Sequence, residues 1–176
     1  MKRYHPFLVS LHWILAIAIG AWLLMGSNTL SEMPNADPEK IGSLKVHMAV
    51  GIGILVFMLV RLIVRLRSKK LTPINADTVV INRASTFGQY ALYTVAILMS
   101  VSGIVTAQIA GLGDIVFFGS GTPLPETFEG IVPLVAHEVL SVILMLLVAG
   151  HVLAALYHQF ALKEKLFTRI WFGDRQ

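Results

Sequence analysis

The stretch Ser10–Gly26, "SLHWILAIAIGAWLLMG", is apolar along most of its length, yet it carries a histidine, His12, in its first turns. Its length suits a bilayer crossing, which takes roughly 20 predominantly apolar residues. Three other stretches share this character, which places spans at about 7–26, 44–66, 87–110 and 133–162. The 176-residue chain is 56% hydrophobic and 14% charged, too apolar for an ordinary soluble domain. A soluble four-helix bundle would need a polar stripe on every helix, and segments such as "GILVFMLV" and "VILMLLVAG" offer none. The expected fold is all-α, an integral membrane four-helix bundle forming one domain over residues 1–176. The basic start "MKRYHPF" resembles a signal-peptide n-region, but the apolar run is long and no small-x-small cleavage site follows it. The segment is expected to be a mature helix.

Charge orients the bundle. Lys2 and Arg3 precede the first span; Arg65, Arg67, Lys69, Lys70 and Arg83 flank the second connection; Lys163, Lys165, Arg169 and Arg175 lie in the tail. The other two connections carry Glu32, Asp37, Glu39, Asp114, Glu126 and Glu129, with Lys40 and Lys45 as their only bases. The positive-inside rule therefore puts both termini in the cytoplasm. The net charge of +4 is first a membrane-orienting signal, and no nucleic-acid partner is expected. The first connection, Ser27–Ser43, is rich in turn formers, and the second, Arg67–Thr86, contains Pro73 and "TVVI". The third, Gly111–Val132, mixes Phe117 and Phe118 with Gly and Pro, which suits a short amphipathic segment at the outer interface. An anionic substrate arriving on that side would find only Lys40 and Lys45 to steer it.

The chain has no cysteine, which excludes disulfides, thiolate-held clusters and haem attached through C-x-x-C-H. It has six histidines, at 5, 12, 47, 137, 151 and 158. All but His5 fall in or at the ends of spans, where an ionisable residue is a functional-site candidate. Depth sorts them. His47 and His137 lie near the outer ends of the second and fourth spans. His151 follows His137 by 14 residues, about 21 Å deeper at 1.5 Å per residue and within about 40° of the same helix face. His12, entering from the inner side, reaches a similar depth. His158 lies about 31 Å below His137, at or beyond the inner boundary.

Two pairs of imidazoles stacked by depth in an apolar bundle fit two haems b, each with two axial histidines, a shell that favours electron transfer over oxygen binding. Zinc or di-iron would want further ligands, and within the spans only Glu138 is at hand, on the wrong face. Ser141, Leu144, Val148 and Ala155 share the histidine stripe of the fourth span. In the second span the His47 stripe runs through Gly51, Ile54, Met58, Arg61 and Arg65. Arg61 falls at the level of His12 and His151, where it either pairs with a haem propionate or snorkels to the headgroups. Arg65 is better placed to snorkel. Trp13, Trp22 and Trp171 suit interface anchoring, and Trp13 also suits packing beside a haem. Gly20, Gly51, Gly53, Gly103 and Gly150 offer clearance for a cofactor or for helix contact.

"SLHW", "KVHMAVGI", "RLIVRLR", "AHEVLS" with "GHVLAALYHQF", and the outer-loop "FFGSGTPLP" together resemble the bacterial cytochrome b561 family over nearly the whole chain. The resemblance implies a multi-pass inner-membrane protein with two haems b, His12 and His151 holding the inner one, His47 and His137 the outer one. It implies electron movement between the quinone pool and a partner, one family activity being superoxide oxidation on the periplasmic side with ubiquinone reduction. His158 lies one heptad past His151 on the same face. With Arg65, Arg61 and Ser10 it is the candidate quinone neighbourhood, the alternative being an interfacial histidine without a role. Two other classes stay open. One is a haem-bearing anchor relaying electrons for a periplasmic dehydrogenase or hydrogenase. The other is a transporter with a histidine proton relay, which would be colourless.

Overall fold

The computed structural model describes residues 3–68 and 79–173; Lys2, Lys69, Lys70, Pro73 and Arg175 lie outside the described residues. The described residues contain helices and no strand. Helix α1 spans Pro6–Met25, α2 Lys40–Arg67, α3 Val79–Ile109, the short α4 Leu112–Val116, and α5 Val132–Leu156. All but α4 are long and apolar enough to cross a membrane.

The helices start and stop for local reasons. Pro6 occupies the first turn of α1, where its missing N–H costs nothing, and the His5 side chain accepts from the Phe7 N–H. Gly111, at φ 65°, takes the left-handed conformation that ends α3 and turns the chain into α4. The helices also outrun the apolar stretches. α2 begins at Lys40 rather than near 44, and α3 begins at Val79, eight residues before 87. Polar residues such as Asn82 and Arg83 continue the backbone ladder as well as apolar ones do, so a hydropathy boundary marks the membrane edge rather than the helix end. α1 and α5 each run on into a single π-helical turn, Gly26–Leu30 and Tyr157–Ala161.

α1 packs on α2, α2 on α3, and α3 on α5. The central core joins Leu15 and Leu23 of α1, Ile54 and Met58 of α2, Tyr93 and Ala96 of α3, and Leu144 of α5. Ile54, Met58 and Leu144 are members of the histidine stripes, so those stripes do face the bundle interior. A second cluster closes one end, where Leu112 and Val116 of α4 bury against Leu44. This is the short amphipathic segment anticipated in the third connection, and Phe118 beyond it is exposed. Ile17, Leu146, Leu153 and Phe87 are exposed on the outer faces, a belt that only hydrocarbon can cover favourably.

The two ends of the chain meet on one face. The Tyr4 N–H donates to the Arg169 carbonyl at 3.1 Å, and the Trp13 indole N–H donates to the Ile170 carbonyl at 2.9 Å. That is the terminal face of the bundle, and the α4 end is the far face.

Candidate functional site

His12 of α1 stands opposite His151 of α5, with ring centres 6.3 Å apart and planes at 70°. His47 of α2 stands opposite His137 of α5, at 6.1 Å and 72°. The rings meet because both helices present them on the interior stripe at matched depth. Two imidazoles bound to opposite sides of one metal, each with a metal–nitrogen bond of about 2.0 Å and about 1.1 Å from nitrogen to ring centre, have centres about 6 Å apart. Both pairs stand at that separation.

Protein donors stop at two per site. Among the described residues no group of three or more His, Cys, Asp or Glu side chains converges. Glu138, next to His137, points outward. A bare zinc ion would need four ligands, whereas a porphyrin brings its own four nitrogens and asks the protein only for the axial pair. The donor set therefore fits haem and does not fit zinc or di-iron.

The surroundings of each ring differ. His137 is seated against α3: its Nδ1 donates to the Met99 carbonyl at 2.9 Å, with Ser102 Oγ at 3.3 Å. That bond fixes the tautomer and leaves Nε2 for a metal. The seat exists because residue 103 is glycine; a Cβ there would lie 3.0 Å from Cε1 and 3.1 Å from Nδ1 of His137. His47 has its Nδ1 buried with no hydrogen-bond partner.

Beside His12 lies Arg61. Its Nη2 is 3.3 Å from His12 Nδ1, its Nη1 donates to the Tyr93 hydroxyl, and its Nε is buried without a partner. The guanidinium also lies over the Tyr93 ring, 5.4 Å from its centre. Among the described residues it makes no ion pair. A cation inside a bundle with a spare donor and no carboxylate is poised for an anion, which is what a haem propionate is. Trp13 packs edge-on to His12 at 5.3 Å and to Trp171 at 5.6 Å.

Of the proposed quinone residues, His158 and Arg65 are engaged in different places. His158 Nδ1 bonds Glu164 at 2.6 Å. Arg65 donates to Gln89 and lies 5.7 Å from the Tyr90 ring centre, against α3. Ser10 is half-buried on α1, and among the described residues no hydrogen bond joins these three to one another. Sequence reasoning missed Tyr93 and Glu164. Tyr93 carried one usable signal: an arginine inside a span needs a polar partner on a neighbouring span. Glu164 carried none.

Lys40 turns out to be structural. Only 5% exposed, its ammonium donates to the carbonyls of Leu30 at 2.7 Å and Met33 at 2.6 Å. It holds the π-helical turn to α2 and is not free to steer an anion. Lys45 is exposed.

A membrane bundle with two facing histidine pairs, and room in its chemistry only for a ligand that supplies the equatorial donors, is a b-type membrane cytochrome. The chain belongs to the prokaryotic cytochrome b561 family, whose pattern it matches over residues 3–173. It is also 27% identical to a probable superoxide oxidase CybB of Yersinia pestis over 175 residues, 96% of each chain. It is thus a multi-pass inner-membrane electron-transfer protein of the haem b class.

Proposed function

We propose that the whole chain, residues 1–176, works as a dihaem cytochrome that moves electrons from a donor on the far, periplasmic face to ubiquinone near the terminal, cytoplasmic face. The observation that carries this reading is the pair of facing histidine couples, at 6.3 and 6.1 Å, in separate places along α5. His47 and His137 would hold one haem toward the far face, His12 and His151 the other toward the terminal face. Bound there, the haems would supply one-electron carriers. The protein's own contribution is to present oriented imidazoles and to set Arg61 beside the inner pair for a propionate. The excess of basic residues on the terminal side supports a cytoplasmic location for both termini. The similarity to a probable superoxide oxidase supports superoxide as the donor.

A second reading gains from Lys40. With that cation spent on two carbonyls, electrostatic steering of a small anion to the far face rests on Lys45. This favours a docked periplasmic dehydrogenase or hydrogenase as donor, with the chain as its membrane anchor. Turnover of the isolated protein with superoxide separates the two readings; inactivity alone with activity in a co-purified complex would favour the anchor.

The core claim is tested by a dithionite-reduced-minus-oxidised spectrum and a pyridine haemochrome assay. The expected count is two haems per chain. Alanine at His47 or His137 removes one, and alanine at His12 or His151 removes the other. A single haem that survives loss of any of these four side chains would refute the assignment.

A further inference from the structure

Beyond the π-helical turn that follows α5, the chain does something unusual. Lys163 and Lys165 both adopt left-handed backbone, at φ 55° and 50°, a conformation that costs a side-chain-bearing residue energy and that glycine takes freely. Strain of this kind persists only where surrounding structure enforces it, and it collects at functional positions. Here the enforcement is visible. The Leu162 N–H donates to the Tyr157 carbonyl at 3.1 Å and the Glu164 N–H to the His158 carbonyl at 3.0 Å. The Phe167 N–H donates to the Gln159 side chain at 3.0 Å.

The result of the turn is a sorting of side chains. Both lysines face outward, while the Glu164 side chain between them is turned in, 8% exposed, onto His158 Nδ1 at 2.6 Å. A carboxylate on a surface tail would ordinarily be solvated. Seven residues separate His158 from His151, about 10 Å along the helix and on nearly the same face. His158 thus follows His151 along the chain, with Nδ1 committed to Glu164 and Nε2 left for another partner.

We propose that Glu164 is the positioning residue of a proton-donating couple with His158, serving the reduction of a bound quinone; this rests on the quinone reading above. Reduction takes two electrons, delivered one at a time by the two reduced haems of the dihaem reading, and two protons, one onto each quinone oxygen. In the step assigned here, the Nε2–H bond of the His158 imidazolium breaks and its proton passes to one quinone oxygen as that oxygen gains electron density. Glu164 holds Nδ1–H throughout, which fixes the tautomer and aims Nε2, as an orienting carboxylate does for other catalytic histidines. Its negative charge balances the imidazolium before transfer. Water at the terminal face restores the Nε2 proton after the product leaves and supplies the proton for the other oxygen.

The test uses the full-length, haem-loaded protein, pre-reduced with dithionite and mixed with decyl-ubiquinone in a stopped-flow spectrometer. E164Q keeps the shape of the side chain and loses its charge. It is expected to retain both haem spectra and the half-saturating quinone concentration, and to lower the limiting rate about tenfold or more; E164D recovers part of the loss. An unchanged rate in E164Q, with a slowed rate in H158N, would overturn the role of Glu164 and leave the quinone site standing. An unchanged rate in H158N would overturn the quinone reading at this face, and the couple with it. A readout independent of rate guards against misfolding of the variants. Infrared difference spectra of the unaltered protein, with and without quinone reduction, should contain a carboxylate band that moves on isotopic labelling of glutamate. Its absence would overturn the proposal.

Discussion

Gly103→Ala is a one-carbon change that should act on one haem site and spare the other. The added Cβ would sit 3.0 Å from His137 Cε1 and 3.1 Å from Nδ1. Comfortable carbon contacts begin near 3.5 Å, so the ring must retreat by about 0.5 Å. It is poorly placed to do so. Its Nδ1 is held to the Met99 carbonyl at 2.9 Å, and the same retreat would stretch that bond to about 3.4 Å, beyond the usual range. Overpacking of this kind costs about 1–3 kcal/mol. If it falls on cofactor binding, that is about a 5- to 150-fold weaker hold on the haem proposed at His137. The assay is haem per chain after purification, followed by haemin titration of protein grown under haem limitation. The haem that weakens should be the one absent from H137A, and the one absent from H12A should stay. Gly42→Ala is the control, since a Cβ at Gly42 meets nothing within 4 Å. Two haems bound to G103A as tightly as to the unaltered protein would refute the seating argument.

Three further outcomes follow from the same contacts. Tyr93→Phe removes the hydroxyl that accepts from Arg61 and should cost about 1–3 kcal/mol by leaving a buried charged donor unpaired, read as a lower melting temperature with a shifted potential for the His12–His151 haem; unaltered values would show the contact to be idle. Lys40→Met strands the carbonyls of Leu30 and Met33 and should lower stability by about 1–3 kcal/mol, whereas Lys45→Glu should leave melting unchanged and reduce only the salt-sensitive part of the rate with an anionic donor; the opposite pattern would reverse the two roles. Trp13→Phe deletes the bond to the Ile170 carbonyl and should loosen the tail by about 1 kcal/mol, visible as faster proteolysis after residue 162, and equal cleavage rates would contradict it.

How much of this could be read from the residues alone follows from what each inference needs. Span number and helix type need only apolar length, and they were legible. The matching of His12 with His151 and of His47 with His137 needs only rise per residue and membrane thickness, because a bundle in a bilayer has a shared depth scale that soluble folds lack. Arg61 was legible as an oddity for the same reason. Side-chain direction after a helix ends has no such scale. Glu164 reads as one more tail charge between two lysines, and nothing in "LKEKL" announces left-handed backbone at both lysines. Lys40 likewise reads as a surface cation, because its burial depends on where two distant carbonyls of the preceding turn come to rest. Gly103 was one of several glycines with the same spacing arguments; only the position of His137 singles it out.

The helix without a histidine turns out to organise both sites. α3 is packed between α2 and α5, and one of its faces runs Tyr93, Ala96, Met99, Ser102, Gly103 and Thr106. Tyr93 meets Arg61 beside the His12–His151 pair, while the Met99 carbonyl and Gly103 seat His137 of the His47–His137 pair. Ligand residues must be chemically special and so announce themselves in a sequence; the residues that aim them need only be small, or offer a backbone carbonyl, and so do not. The Ser100 and Thr106 hydroxyls bond back to carbonyls four residues earlier in their own helix, which satisfies polar groups in hydrocarbon without drawing a second helix inward. A helix built this way can lie close to α5 and still leave the space in front of the histidines to a flat cofactor.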